Sequence, residues 1–299
     1  MTDLRVLAGY SPDDRGDDAL TLASLIVRIA GARLTVANVH PPAWPARGPG
    51  SVDAEWVAYL KEQSELALAQ AADHLTKAKV PKKDLDFVVR ANRGSGRGLL
   101  EVGGEAEAGL IVIGSAPRGR RGRIAIGSTA DQLLHGSPVP VMLAPRGYAE
   151  DAPKRFERLT IAYWRRSATE PALATAARLA RSLELPVRLV TLVLRPPGLA
   201  AKFRNAEEVM RRQLAQAEKD LAHAAGLVGA DAEVTTEAIM GTGVTKTLGS
   251  LDVLPGEILA CMSSHDGPLR KVFLGESSGK IVRAAPCPVV VLPRGTPGR

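Results

Sequence analysis

A chain of 299 residues with 45% hydrophobic content has room for two domains of ordinary size with filled cores, which excludes a disordered tail. Its formal charge of +7 suits anionic ligands, but with aromatics at only 4% a basic, aromatic-studded face for nucleic acid is not expected. The N-terminus lacks an apolar signal core, the best apolar run, Leu20 to Ala30, is broken by Arg28, and the two cysteines, Cys261 and Cys287, fit a reducing compartment, so the chain reads as cytoplasmic with no membrane segment.

In order, Leu4 to Tyr10 is the first strand, Ser11-Pro12-Asp13-Asp14 a polar turn, and about Asp17 to Ala30 an amphipathic helix. Arg33 to His40 alternates into a second strand closed by Pro41-Pro42, and a Pro/Gly loop with Trp44 leads to a long helix, Ala54 to Lys79, with Val57, Leu60, Leu66 and Leu68 at near-helical spacing. Leu85 to Ala91 is the third strand, Gly94 to Gly98 a turn and Leu99 to Ala106 a short helix. The apolar run Leu110 to Ile113 then reaches Gly114 and gives way to a loop holding Arg118, Arg120, Arg121 and Arg123. Gly127-Ser128-Thr129 opens another helix, and Val139 to Leu143 is the fifth strand. A glycine loop beside a helix start is suited to phosphate, because backbone N–H groups can approach an anion there.

The chain then repeats itself. Arg33-Leu34 through Pro41-Pro42 returns as Arg188-Leu189 through Pro196-Pro197, and Ser137-Pro138-Val139-Pro140-Val141 returns as Ala285-Pro286-Cys287-Pro288-Val289. Leu159 to Trp164, Ala232 to Ala238 and Glu257 to Met262 answer the first, third and fourth strands. Glu170 to Leu183 and Ala206 to Ala225 answer the first two helices, and Tyr148 to Arg155 is the linker. Strands alternating with helices mean a parallel α/β sheet covered on both faces, and Cys261 and Cys287 fall toward opposite ends of neighbouring strands, where no disulfide forms.

This combination resembles the universal stress protein family in its tandem form, over nearly the whole chain. The carrying motif is a fourth strand ending in G-x-x-G, nine residues, then G-S or G-T, a helix and the run P-C-P-V. In the first half Gly114 and Gly127-Ser128 keep the frame while Pro117 replaces the second glycine. In the second half Met262 and His265 replace both glycines, Gly275 is kept, and Glu276 precedes Ser277. The aspartate that meets adenosine in nucleotide-binding members falls on Ser11 and on Trp164. The resemblance implies two tandem, doubly wound, five-stranded parallel sheets of the adenine nucleotide alpha hydrolase-like kind, over residues 1–147 and 155–295, related by a pseudo-two-fold axis. The runs Pro138 to Leu143 and Pro286 to Leu292 would be the terminal edge strands, covering each other as in a dimer held within one chain. A homodimer of whole chains is a further expectation.

In an open α/β sheet the ligand crevice lies beyond the strand ends where strand order reverses, which brings Tyr10, Ser11, Val39 and Gly114 to one cleft. Gly127, Ser128, Thr129 and Arg118 stand at its phosphate end. The expected ligand is ATP, AMP or a cyclic nucleotide, bound weakly by the first half only. The alternative is an interaction module with both sites dead, in which Gly114 and Gly127 supply turn conformations and Ser128 is an ordinary helix cap. The protein partner is not legible. No nucleophile with its base and no metal spacing is found among the histidines His40, His74, His135, His223 and His265, so neither catalysis nor a metal is expected. Gly241 to Thr247 imitates a phosphate loop but carries Thr245 where glycine is required, and reads as a helix start. Tyr163, Trp164 and Trp44 read as core or interface aromatics.

Overall fold

Each half folds as alternating strands and helices because short apolar runs, buried almost throughout in the central strands, alternate with segments that are apolar on one face only. The computed structural model describes residues 4–42, 53–165, 169–195, 206–229, 232–263, 272 and 274–293. It divides into two units, Met1–Ala152 and Pro153–Arg299. Trp44, Pro196-Pro197 and His265 lie outside the described residues.

The first unit runs β1 (Arg5–Gly9), α1 (Asp14–Ala30), β2 (Arg33–His40), α2 (Asp53–Lys77), β3 (Leu85–Ala91), α3 (Ser95–Glu105), β4 (Leu110–Gly114), α4 (Ser128–Leu134) and β5 (Val141–Ala144). Its strands are parallel in the order β3-β2-β1-β4-β5, with Val6 opposite both Leu34 and Leu110. The second unit runs β6 (Arg158–Ala162), α5 (Glu170–Ser182), β7 (Val187–Leu194), α6 (Ala206–Val228), β8 (Val234–Gly241), α7 (Val244–Leu248), β9 (Glu257–Met262), α8 (Glu276–Ala284) and β10 (Val289–Leu292). It repeats the order as β8-β7-β6-β9-β10, again parallel. Equivalent bonds close the first strand of each unit, Tyr10 N–H to the Ala37 carbonyl at 2.9 Å and Tyr163 N–H to that of Val190 at 2.8 Å.

α1 starts three residues earlier than its apolar pattern indicates, because the Asp13 carboxylate caps it, accepting from the N–H groups of Arg15 and Gly16 at 3.0 and 3.3 Å. It stops at Gly31, which takes the left-handed conformation (φ 61°) open to glycine without strain. In α2 the buried face is Ser64, Ala67, Leu68, Ala71 and Leu75, so Leu66, which the spacing put with the core, points outward and is 52% exposed. The expected turn at Gly94 to Gly98 is instead the first turn of α3. Its glycines permit close packing, since a Cβ on Gly96 would stand 2.6 Å from that of Gln132, and one on Gly98 2.6 Å from Val39 Cγ1. β5 starts at Val141 rather than Val139, since Pro138 and Pro140 have no N–H to give a ladder. Gly241 to Thr247 does lead into a helix, α7. Cys261 and Cys287 are both buried and are not joined in a disulfide.

Candidate functional site

Strand order reverses between β1 and β4: the chain leaves β1 toward β2 on one side and β4 toward β5 on the other. Beyond the C-terminal ends of these strands lies a cleft of about 600 Å³. Ser11, Val39, Gly114, Arg118, Gly127, Ser128 and Thr129, chosen from the sequence, all line it, together with Tyr10, Arg15, Asn38 and Leu99. No carboxylate, histidine or cysteine is among the described residues of its wall, and its charged side chains are the cations Arg15 and Arg118.

The glycines do not act through turn conformations. Gly114 ends a strand, Gly127 has φ −102°, and neither is left-handed. A Cβ on Gly114 would overlap the carbonyl oxygen of Arg15 and stand 3.0 Å from its Cα, so this glycine lets the first turn of α1 close onto the end of β4. A Cβ on Gly127 would meet only that of Ala116, at 3.0 Å. Gly127, not Ser128, occupies the cap position of α4, and no side chain caps that helix. The first bond of α4 runs from the Asp131 N–H to the Gly127 carbonyl at 2.8 Å. The N–H groups of Ser128, Thr129 and Ala130 therefore have no partner within the helix and stand at the cleft beside two hydroxyls.

The arginine loop is built, not loose. Its neck is closed by the Ala116 N–H to the Ala125 carbonyl at 2.9 Å and by the Ala125 N–H to the Ser115 hydroxyl at 2.8 Å. Its tip is bonded to Arg146, whose carbonyl accepts from Gly122 N–H at 2.9 Å and whose guanidinium donates to the Gly119 carbonyl at 2.8 Å. Arg121 is drawn away from the cleft by Glu150 at 2.6 Å and Asp151 at 3.1 Å, which raise its pKa further. Of the loop's arginines only Arg118 reaches the cleft among the described residues.

At the other end Ser11 stands where the resemblance implies an aspartate, and its hydroxyl donates to Asp13 at 2.9 Å. Burial works to raise the Asp13 carboxyl, but hydrogen bonds from Arg15, Ser11 and Gly16 outweigh it and hold the group low. This carboxylate is committed to capping α1 and pairing with Arg15. The Tyr10 phenol is pushed up to about 12 by burial and by Asp17 and Asp13, so it stays a neutral donor.

A model described as the universal stress protein family matches residues 4–145 and again 155–293. The chain belongs to the universal stress protein family. Universal stress proteins of Mycobacterium tuberculosis and Mycobacterium bovis are each 35% identical to it over 296 residues, covering 97% of this chain and 100% of the relative. The crystal structure of a universal stress protein from Archaeoglobus fulgidus has the same fold, with a TM-score of 0.62 at 17% identity, over 97% of this chain and 96% of that one. The protein is thus a tandem universal stress protein with a doubly wound parallel sheet in each repeat. Among its described residues no helix is long and apolar enough to cross a membrane, and no cluster of metal-binding side chains occurs.

The second universal stress repeat treats the same positions differently. Trp164, half-buried, follows a Tyr163 that is 1% exposed, and Met262 is buried at the end of β9. Gly275 caps α8, but the next residue is Glu276, whose carboxylate accepts from Lys280 at 2.6 Å and is held low by that bond. A buried charged network of this repeat lies at the N-terminal ends of its strands, where no sequence motif marks it. Glu257, 2% exposed, accepts from Arg158 and Arg188 at 2.7 Å each, from the Leu254 N–H at 2.9 Å and from the Thr160 hydroxyl. Burial works to raise this carboxyl, but Arg158, Thr160, Leu254 and Arg188 together hold it below its ordinary value. In the first repeat the buried acid is Asp18, 2% exposed, which accepts from the N–H groups of Gly147 and Ala149 at 2.9 and 2.8 Å. Burial dominates there, and with Asp14 and Asp17 nearby it raises the Asp18 carboxyl despite those bonds.

Proposed function

We propose that the first unit of this universal stress protein binds an adenine nucleotide of the ATP, AMP or cyclic AMP class, weakly and without turnover, in the cytoplasm, and that the second unit does not. The observation carrying this reading is that the residues chosen for nucleotide contact surround one cleft whose described charges are all positive. Arg118, the hydroxyls of Ser128 and Thr129 and the open N–H groups at the start of α4 suit the phosphates, and the end bounded by Tyr10, Ser11, Asn38 and Val39 suits the nucleoside. With no carboxylate, histidine or cysteine among the described residues of its wall, the cleft offers none of the usual groups to activate water. Binding is weak because Pro117 offers no N–H and the carboxylate nearest Ser11 is already engaged by Arg15. A lost charged hydrogen bond costs about 1.5–3 kcal/mol, roughly ten- to a hundred-fold in affinity. In the second unit Glu276 puts a carboxylate where phosphate would approach.

Calorimetric titration of ATP, AMP and cyclic AMP tests the reading. Gly127→Glu, which brings a carboxylate and bulk to the start of α4, is expected to abolish binding, and Gly275→Glu to leave it unchanged. Equal losses in the two variants would refute the asymmetry between the units. No heat with the wild type would favour an interaction module instead, for which the outward stack of Trp56 and Tyr59 on α2, ring centroids 5.5 Å apart, is the feature to pursue.

A further inference from the structure

The nucleoside end of the cleft holds one side chain whose hydrogen-bonding direction is fixed and whose second polar atom is unused. β2 runs past the last paired residue of β1, Gly9 opposite Ala37, so Asn38 stands level with Tyr10 just beyond it. Its Nδ2 donates to the Tyr10 carbonyl at 2.9 Å. A carbonyl oxygen can only accept, so the amide cannot be turned over, and Oδ1 lies on the side away from the Tyr10 carbonyl. Tyr10 is itself held, by its N–H to Ala37 at 2.9 Å and by Gly16, where a Cβ would stand 2.7 Å from the Tyr10 ring. Asn38 Oδ1 accepts no hydrogen bond from any described residue, and Asn38 lines the cleft. The neighbours at this end do not compete. Val39 is turned toward α3, where Gly98 makes room for it, and the Ser11 hydroxyl is directed to Asp13 at 2.9 Å.

We propose that Asn38 selects the base: its Oδ1 accepts from the exocyclic amino group of a 6-amino purine, and a 6-oxo purine, which turns a second acceptor toward it, is rejected. The inference rests on the nucleotide reading above and adds to it a named selecting residue. Because the cleft is open to water, the discrimination is that of one neutral hydrogen bond against an acceptor facing an acceptor, about tenfold in affinity.

ATP, ITP and 2′-deoxy-ATP, titrated into the wild type and Asn38→Leu with tripolyphosphate as competitor, test it. The wild type is expected to bind ATP about tenfold more tightly than ITP, and 2′-deoxy-ATP like ATP. In Asn38→Leu the ATP affinity falls to that of ITP, ITP is unchanged, and tripolyphosphate competes as before, showing that the phosphate end is intact. Equal wild-type affinities for ATP and ITP would overturn the assignment while leaving the nucleotide site standing, a comparison that needs no variant to fold. A preference surviving in Asn38→Leu, or one that follows the 2′-hydroxyl, would overturn it as well. A wild type that binds neither ATP nor ITP would remove the nucleotide reading and this inference together.

Discussion

The two repeats place their polar chemistry at opposite ends of equivalent strands, each within its own unit. In the first, cations, hydroxyls and open N–H groups gather beyond the C-terminal strand ends, around a cleft. In the second, the corresponding helix start is occupied by Glu276 and its lysine, while Arg158, Thr160, Arg188 and Glu257 form a buried network at the N-terminal ends of β6, β7 and β9. Among the described residues the first repeat has no comparable network at that end: Arg5, the equivalent of Arg158, pairs with the exposed Glu107, and Gly109 stands where Glu257 would be. One duplicated frame can therefore keep polar groups ready for a ligand or satisfy them among themselves, and the difference lies in a few residues at strand ends.

The comparison breaks most sharply at Glu257. Glu257→Ala leaves two guanidinium groups facing each other without their shared carboxylate, and is expected to destabilise the second unit by about 3–5 kcal/mol in chemical denaturation. Arg5→Ala, which removes the exposed pair, is expected to cost about 0–1 kcal/mol. Nucleotide affinity should not change in either. The acid responses of the units also differ in sign. Glu257 titrates below its unfolded value of 4.5, so its contribution is complete above that value and is lost as the pH falls through the lowered one. Asp18 titrates above its unfolded value, so its contribution is present at acid pH and is lost as the pH rises through the raised one. Denaturation midpoints followed from neutral to acid pH should show the second unit weakening, and Glu257→Gln should remove that acid-dependent loss.

Next in size is the pair of cleft glycines. Gly114→Ala forces a methyl group into the Arg15 backbone and is expected to cost about 3 kcal/mol and to spoil the cleft, whereas Gly127→Ala displaces only the Ala116 methyl and should cost about 1 kcal/mol or less. Thermal melts of both variants, with and without ATP, separate the two roles. The smallest effect concerns the arginines. Arg118→Ala should weaken ATP about five- to tenfold at low salt and less at high salt, while Arg121→Ala, already engaged by Glu150 and Asp151, should leave the affinity where it was.

The fold was legible because its signals are local. β2, β3 and β9 occupy the spans that their alternation and turn residues mark out, and the duplication carried the reading into the second half. The lining of the cleft was legible for a related reason: a glycine-and-hydroxyl frame at fixed spacing is written within one stretch, and the topology of a parallel sheet decides where that stretch ends. What the sequence hid were pairings across long separations. Asp18 reads as one more polar residue on a helix, and its partners lie 129 and 131 residues further on. Glu257 looks like an ordinary strand-end charge until Arg158 and Arg188 are brought to it. Gly114 reads as a loop glycine although its role is to admit the backbone of α1. Leu66 illustrates the reverse error, an apolar residue counted into a face from which the helical period excludes it.

The run from Tyr148 to Asp151 reads as part of the linker between repeats, yet together with Arg146 and Gly147 it completes the first one. The N–H groups of Gly147 and Ala149 donate to the buried Asp18, Arg146 holds the tip of the arginine loop, and Glu150 with Asp151 takes Arg121 out of circulation. Excising the first half at residue 147, where the repeat closes in sequence, would strip one donor from a carboxyl sealed inside the protein and leave the loop beside the cleft with a loosened anchor. A first half cut after Asp151 is expected to be more stable than one cut after residue 147, and chemical denaturation of the two fragments would show it.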